Sequence, residues 1–420
     1  MRKWLKNKFV EGLIWNYGSV VILSASGFLL NFLIVFFYNA TALGVFNRAH
    51  AWYCILSQIT VWGVHMSIMK LIPEFKEDPK ERESILSSAL FGVLLFSVVC
   101  VVIIEMALPW MITSNGRLLS SMQLVVPALV FFSLNKVLLN YLNGLSEMKA
   151  YAFLQSLRYI VIVITVLILS LFQCDYIRLT GCFVGAEVVV FVSSVGYLIH
   201  KKLFIKKISL RYVKEHARFG TCILMSNMVN ELNTKVDIIC LGFIVGDDYL
   251  IGIYSFAVLF AEGFYQLYFV VRRSINPRIT EYHVKGNLQE GIGLINAALK
   301  KYLRILSPLA LSALIAGYYI LCCLLQQKDY LVGLQFLLII CVAIMFSGRR
   351  IILGNIFAQT GFPACESIVN TITVASNFIL NILLIYIWGL TGAAIATAVS
   401  YIIFGYTLRF YAKRELKVAI

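Results

Sequence analysis

Long apolar runs separated by short polar turns fill the chain from end to end. A bilayer crossing takes about 20 apolar residues. On that measure the runs predict about twelve transmembrane helices, at roughly 13–38, 44–71, 84–108, 119–143, 150–172, 176–200, 217–245, 250–272, 297–325, 331–358, 363–388 and 390–411. The expected fold class is all-α, a polytopic membrane protein, and an even count puts both ends on one side. The seventh run breaks the pattern. It carries Glu231, Lys235 and Asp237. A charge at the bilayer centre costs roughly 3 kcal/mol or more, so one retained there marks function by default.

The runs also repeat. Gly44-Val45-Phe46-Asn47-Arg48-Ala49 matches Gly252-Ile253-Tyr254-Ser255-Phe256-Ala257 at a spacing of 208 residues, and Leu179-Thr180-Gly181 matches Leu390-Thr391-Gly392 at 211. Pro73 and Pro277 each close the span that follows the first motif. The shared spacing, near half the length, predicts two six-helix lobes in the same orientation: residues 1–200, a connecting segment 201–216, and residues 217–420. Parallel repeats about an axis along the membrane normal are a transporter architecture, with the substrate path between the halves.

Composition agrees. Hydrophobic residues make up 60% and charged residues 14%, against roughly half and a quarter in soluble domains. The net charge of +15 would suggest nucleic acid in a soluble protein, but here topology explains it. Of 36 Lys and Arg, 27 fall on the side shared with the N-terminus, four (Arg48, Arg117, Arg178, Lys328) on the other, and five within spans. That excess makes both termini cytoplasmic. The basic start, Met1-Arg2-Lys3, has no cleavage site before the first span and reads as a retained end rather than a signal peptide. The segment 201–216 is Lys-rich with Leu203, Phe204 and Ile205 interleaved, and reads as an amphipathic cytoplasmic linker on the membrane surface. The ten Cys lack CxxC spacing and read as small apolar residues. The outer loops are short. No GxSxG, HExxH or Walker motif occurs, so the chain reads as a non-enzyme without cofactor.

Five cations lie within spans. Lys136, Arg158, Arg349 and Arg350 stand about seven to nine residues from the cytoplasmic ends of their spans, roughly 10–13 Å in. They form a possible cationic lumen for an anionic headgroup, since the Arg fork bonds phosphate at two points. The alternative is that they snorkel to the inner interface, and a span ending at Gly348 would make Arg349 and Arg350 ordinary flanks. Lys235 lies nearer the outer side, four residues after Glu231, the favourable order for a helical ion pair. Arg48 sits at the outer mouth as a gate or a simple flank. Glu187, Glu231, Asp237, Glu262 and Glu366 are candidates for H+ or Na+ coupling, or else partners of nearby cations. His65 is a proton site or a polar interhelical contact.

Several strings together resemble a known family: Leu43-Gly44-Val45-Phe46 with Ala49, Lys70-Leu71-Ile72-Pro73, Val236-Asp237-Ile238-Ile239, Asn276-Pro277-Arg278, Asn377 with Leu380-Asn381, and Gly389 with Gly392-Ala393-Ala394. Over nearly its whole length the chain is similar to the polysaccharide transporter family, the Wzx-type O-antigen flippases. These belong to the multidrug/oligosaccharidyl-lipid/polysaccharide (MOP) exporter superfamily. The resemblance implies two MATE-like six-helix lobes working by alternating access in the bacterial cytoplasmic membrane. It implies a substrate of undecaprenyl-diphosphate-linked oligosaccharide, moved from the inner to the outer leaflet, and polysaccharide assembly proteins as partners. The competing readings are a cation-coupled multidrug antiporter of the same superfamily, a membrane-embedded polymerase or glycosyltransferase, and a membrane scaffold.

Overall fold

The computed structural model describes the backbone of residues 2–75, 77–113, 115–201 and 207–418, and their side chains apart from 2–14, 16, 17 and 230. The centre of the expected linker, with Leu203, Phe204 and Ile205, lies outside the described residues, as do the side chains of the N-terminal cations. Among the described residues there are helices and no strand. Contacts divide the chain into two compact units, Met1–Glu231 and Leu232–Ile420.

The first unit holds α1 (Arg2–Phe37), α2 (Ala40–Val61), α3 (Val64–Glu74), α4 (Pro79–Met111), α5 (Gly116–Val125), α6 (Ala128–Gly144), α7 (Met148–Leu171), a 3-10 turn into α8 (Cys182–His200), and the first part of α9 (Leu210–Ile244). Two of its expected spans are broken. α2 and α3 meet at 49° and α5 and α6 at 41°. The first break has a clear cause: Trp62 and Gly63 adopt φ of 50° and 64°, which ends α2 in a left-handed cap. Gly63 also lies against Gly220 of α9, where a Cβ would come within 2.7 Å of the Gly220 carbonyl oxygen. The core of this unit gathers Ile68, Leu71, Ile72, Ile85, Leu86, Val137, Leu138 and Tyr141 from α3, α4 and α6.

The second unit continues α9 and adds α10 (Asp248–Val284), α11 (Leu288–Leu324), α12 (Gly333–Ile352), the short α13 (Ile356–Gln359) and α14 (Pro363–Glu415). α14 is two helices in one run: Gly389 has φ 56° and ψ −130°. Gly392 just beyond it has no room for a Cβ, because the Leu384 carbonyl would lie 1.9 Å away. This glycine pair makes the tight reversal between the last two expected spans.

By length and composition eight helices could cross a membrane, or ten with each bent pair taken as one span. Dividing α14 at Gly389 adds one, and the charged α9 adds another. That brings the count to the expected twelve. The repeat is visible in the helix caps. Asn39 accepts from the Ala42 amide at the start of α2, and Asp247 accepts from the Tyr249 amide at the start of α10. These caps stand 208 residues apart, and each satisfies a helix N-terminal donor. Phe46 and Tyr254, and Ala49 and Ala257, are buried at the same spacing. One expectation fails: Pro277 does not close its span, because α10 runs on to Val284. The ring costs one backbone bond inside the helix, at the end where the chain leaves the apolar run.

The N-terminal part of α9 is fixed to α4. Ser209 donates its amide to Ser88, Tyr212 donates to Glu81 at 2.6 Å, and His216 contacts the Ile85 carbonyl at 3.2 Å and Ser67 of α3 at 2.8 Å. Glu81, Ile85 and Ser88 lie on one helical face. Residues 210–216 of the expected linker are therefore helical, and Tyr212 and His216 are buried. All ten cysteines are free thiols.

Candidate functional site

In the first unit the intramembrane charge converges on Glu187 of α8. Its side chain is 2% exposed. Arg158 of α7 places Nε 2.8 Å from Oε1 and donates from Nη2 to Oε2 at 3.1 Å. Tyr53 of α2 donates to Oε1 at 3.1 Å, and the fully buried Asn135 of α6 donates to Oε2 at 2.7 Å. Four helices thus meet on one carboxylate: Oε2 has two hydrogen-bond donors, and Oε1 has one together with the ion-pair contact to Arg158 Nε. A buried ion pair persists only when such further bonds offset its desolvation. Phe183, the aromatic residue near the start of α8, stacks on Tyr53 at 5.0 Å and on His50 at 5.3 Å.

Phe132 of α6 links this cluster to a second cation. The Arg158 guanidinium lies 5.0 Å and the Lys136 ammonium 5.8 Å from its centroid. Lys136 is half-buried, and Arg158, Glu231 and Glu187 all act on its charge. So the structure brings Lys136 and Arg158 together on one ring, with Arg158 already paired to Glu187. His65 of α3 is buried, and its Nδ1 has no hydrogen-bond partner. Arg48 is 8% exposed within α2.

In the second unit Asp237 of α9 is 7% exposed and accepts from Tyr254 of α10 at 2.9 Å. Tyr254 is in turn hydrogen-bonded to Thr397 of α14. Lys235 acts electrostatically on both Asp237 and Glu262, and the Glu262 side chain is exposed on the surface of α10. Nearby in sequence to Thr397, Asn381 donates to the Asn377 side chain and backbone at 2.9 Å, while its own Oδ1 is buried without a partner. Glu366 lies elsewhere and accepts from the Ala358 amide at 2.9 Å.

Arg349 and Arg350 occupy the last turn of α12, which ends at Ile352 rather than 358. Cations there complement the helix dipole. Arg349 is exposed, while Arg350 lies 5.0 Å over Tyr406 and 5.9 Å from the Phe346 centroid. Tyr53, Asn135, Phe132, Tyr254 and Thr397 are absent from the sequence-based set. Asn135 was signalled by being a polar residue inside the apolar run 128–142. The tyrosines carry no such mark, because they read as ordinary apolar positions until their hydroxyls meet a carboxylate.

These helices and their buried charge define a polytopic membrane protein with MATE-like lobes. Residues 9–283 match the family described as polysaccharide biosynthesis protein, and the chain belongs to that family. An uncharacterised membrane protein of Methanocaldococcus jannaschii is 21% identical over 95% of this chain and 82% of its own length. Among solved structures, the chain is similar to the lipid II flippase MurJ in its inward closed conformation, with TM-score 0.78 and 21% identity over 95% of this chain and 87% of MurJ. It is also similar to an inward-facing multidrug resistance MATE transporter of the MOP superfamily, with TM-score 0.71 and 11% identity over 94% of each chain. The chain shares the fold of these two structures.

Proposed function

We propose that the chain is a flippase for lipid-linked oligosaccharide, moving an undecaprenyl-diphosphate-linked repeat unit from the cytoplasmic to the outer leaflet by alternating access. The observation that carries this reading is membership of the polysaccharide biosynthesis family on a fold shared with a lipid II flippase. In this reading the lobes are residues 1–200 and 217–420, both termini are cytoplasmic, and the membrane is the bacterial inner membrane. Lys136 is the sharpest candidate for the diphosphate, because the Arg158 charge is already met by Glu187. Arg349, Arg350, Lys235 and Arg48 complete the proposed cationic path. Binding must favour one conformer by a few kcal/mol to move the population.

Asp237 supports ion coupling. It is a buried carboxylate that accepts from the Tyr254 hydroxyl and the Ile238 amide, both at 2.9 Å, and Glu262 stands within reach of the same Lys235 charge. Glu187 is less suited, since its charge is spent on Arg158. The same two acids favour the second reading, a cation-coupled drug antiporter. The test is flipping of a fluorescent undecaprenyl-diphosphate oligosaccharide in proteoliposomes under H+ or Na+ gradients, with Lys136→Ala, Arg349→Ala and Asp237→Asn. Flipping that is lost in folded Lys136→Ala supports the lipid-headgroup reading. Absence of flipping by the native chain, with export of cationic drugs that Asp237→Asn abolishes, assigns it to the antiporters.

A further inference from the structure

α10 and α11 form a hairpin pinned at two points. Near the turn, Gly291 of α11 lies so close to the Tyr282 ring that a Cβ would come within 2.2 Å of it. Further into the membrane, Tyr268 donates to Ser307 at 2.7 Å. Between these points α10 carries Pro277, while Pro308 of α11 lies just beyond the inner pin, and the two helices leave a gap lined by residues of both. The gap is a groove of about 550 Å³, within the range of sites that take a small ligand. Its walls include Val271 and Arg278 from α10 and Leu294, Ala298 and Tyr302 from α11. Leu294 to Tyr302 spans about 12 Å of helix.

The walls are apolar with one charge. Arg278 is exposed and lies six residues, about 9 Å, beyond Arg272, where the expected span ends. That is the depth of the headgroup layer. Tyr282 and Tyr302 are the residue type that favours this layer. Leu294 is 57% exposed, so the groove is open beside the cation, and Ala298, Leu299 and Tyr302 continue its wall towards the inner pin. The neighbouring cations are engaged otherwise: Arg272 and Arg273 both lie 4.6 Å over the Phe269 ring, and Lys285 pairs with Glu281 at 2.5 Å. The lining therefore offers one guanidinium, which matches one phosphodiester, with an apolar channel beneath it for an acyl chain. Lys300, Lys301 and Arg304 add to the positive field of the same side, which draws anionic lipid.

We propose that this groove is a binding site for one anionic phospholipid of the cytoplasmic leaflet, its phosphate on Arg278 and an acyl chain between α10 and α11. The site belongs to the C-terminal unit alone and does not depend on what the protein transports. The test is native mass spectrometry of the purified full chain titrated with phosphatidylglycerol or phosphatidylcholine. The expected result is one phosphatidylglycerol retained in preference to phosphatidylcholine. Arg278→Ala should weaken it about ten-fold, as fits the loss of one charge-assisted pair, and Ala298→Trp should weaken it by filling the groove. Lys328→Ala, a cation of the turn before α12 and outside the lining, should leave it unchanged. Equal retention of the two lipids, or an Arg278→Ala chain that holds phosphatidylglycerol within two-fold of the native chain, overturns the proposal. So does displacement of the retained lipid by an equimolar amount of undecaprenyl phosphate, which would give the groove to the substrate's own lipid.

Discussion

Replacing Glu187 by Ala tests the polar hub of the first unit. The carboxylate meets Arg158 at 2.8 Å and takes further bonds from Tyr53 and Asn135. Removing it leaves a guanidinium that is 9% exposed without its counter-charge. Breaking one side of a buried pair costs about 3–5 kcal/mol. The two lost interhelical bonds add about 1 kcal/mol together, since such bonds average ~0.6 kcal/mol in a membrane protein. Asn135 keeps its bond to the Glu187 backbone at 2.8 Å, so its share is at the low end. The double variant Arg158→Met/Glu187→Leu removes both charges, and buried pairs replaced in this way are often neutral. It should therefore recover at least half of the single-variant loss. The measurement is thermal unfolding of the native chain, Glu187→Ala, Glu187→Leu, Arg158→Met and the double variant in the same detergent. A Glu187→Ala chain within about 0.5 kcal/mol of the native one, or a double variant whose loss equals the sum of the singles, would refute the reasoning.

Other outcomes follow from the same geometry. Gly220→Ala would set a Cβ 2.0 Å from the Trp62 carbonyl, and should cost about 1–3 kcal/mol by overpacking, read as a lower melting temperature. Gly389→Ala forces a side chain into φ 56° and ψ −130°, outside every region open to L side chains, and should cost about 1–3 kcal/mol, read as a lower melting temperature. Burial pushes the His216 imidazole down to about 4. Stability from keeping it neutral is present above pH 6.5 and lost as pH falls from there towards 4, and His216→Gln should flatten that limb of a melting-versus-pH curve. Burial and the bond to Glu81 push the Tyr212 phenol up to about 12. Its contribution is complete below pH 10 and lost as pH rises towards 12, a loss that Tyr212→Phe should remove at a cost of about 1 kcal/mol at neutral pH.

The helical spans were legible because length and hydropathy decide them with little help from context. The duplication was legible too, and the caps at Asn39 and Asp247 show why: a short polar residue before an apolar run does the same physical work in each half. The breaks were not legible. The one at Trp62–Gly63 depends on a left-handed tryptophan held between Phe96, stacked at 4.3 Å, and Thr221, bonded at 3.1 Å, both distant in sequence. Pro277 misled because a proline ends a helix only when nothing else holds the next turn. Arg158 was found from sequence as an intramembrane cation and Glu187 as an intramembrane acid. That the two are partners depends on α7 and α8 packing side by side, a tertiary fact carried by no local pattern.

The two halves share scaffold positions but not charges. At the repeat spacing of 208 residues the caps Asn39 and Asp247 correspond, as do the buried Phe46 with Tyr254 and Ala49 with Ala257. At the same spacing Asp237 falls on Leu29 and Glu187 on Ala398. The scaffold therefore repeats while the ionisable residues do not. A buried charge must be satisfied by groups within reach, so each unit has solved the problem locally and differently. The first answers an acid with an arginine and two neutral donors, which fixes its geometry. The second answers Asp237 with a tyrosine hydroxyl and a backbone amide, and leaves Glu262 exposed on α10. A carboxylate held by a neutral donor can exchange a proton or cation without breaking an ion pair. If movement of the lobes is coupled to an ion, the physical requirement of a reversible charge points to the second unit, and Asp237→Asn should remove the ion dependence of transport while Glu187→Gln mainly lowers stability.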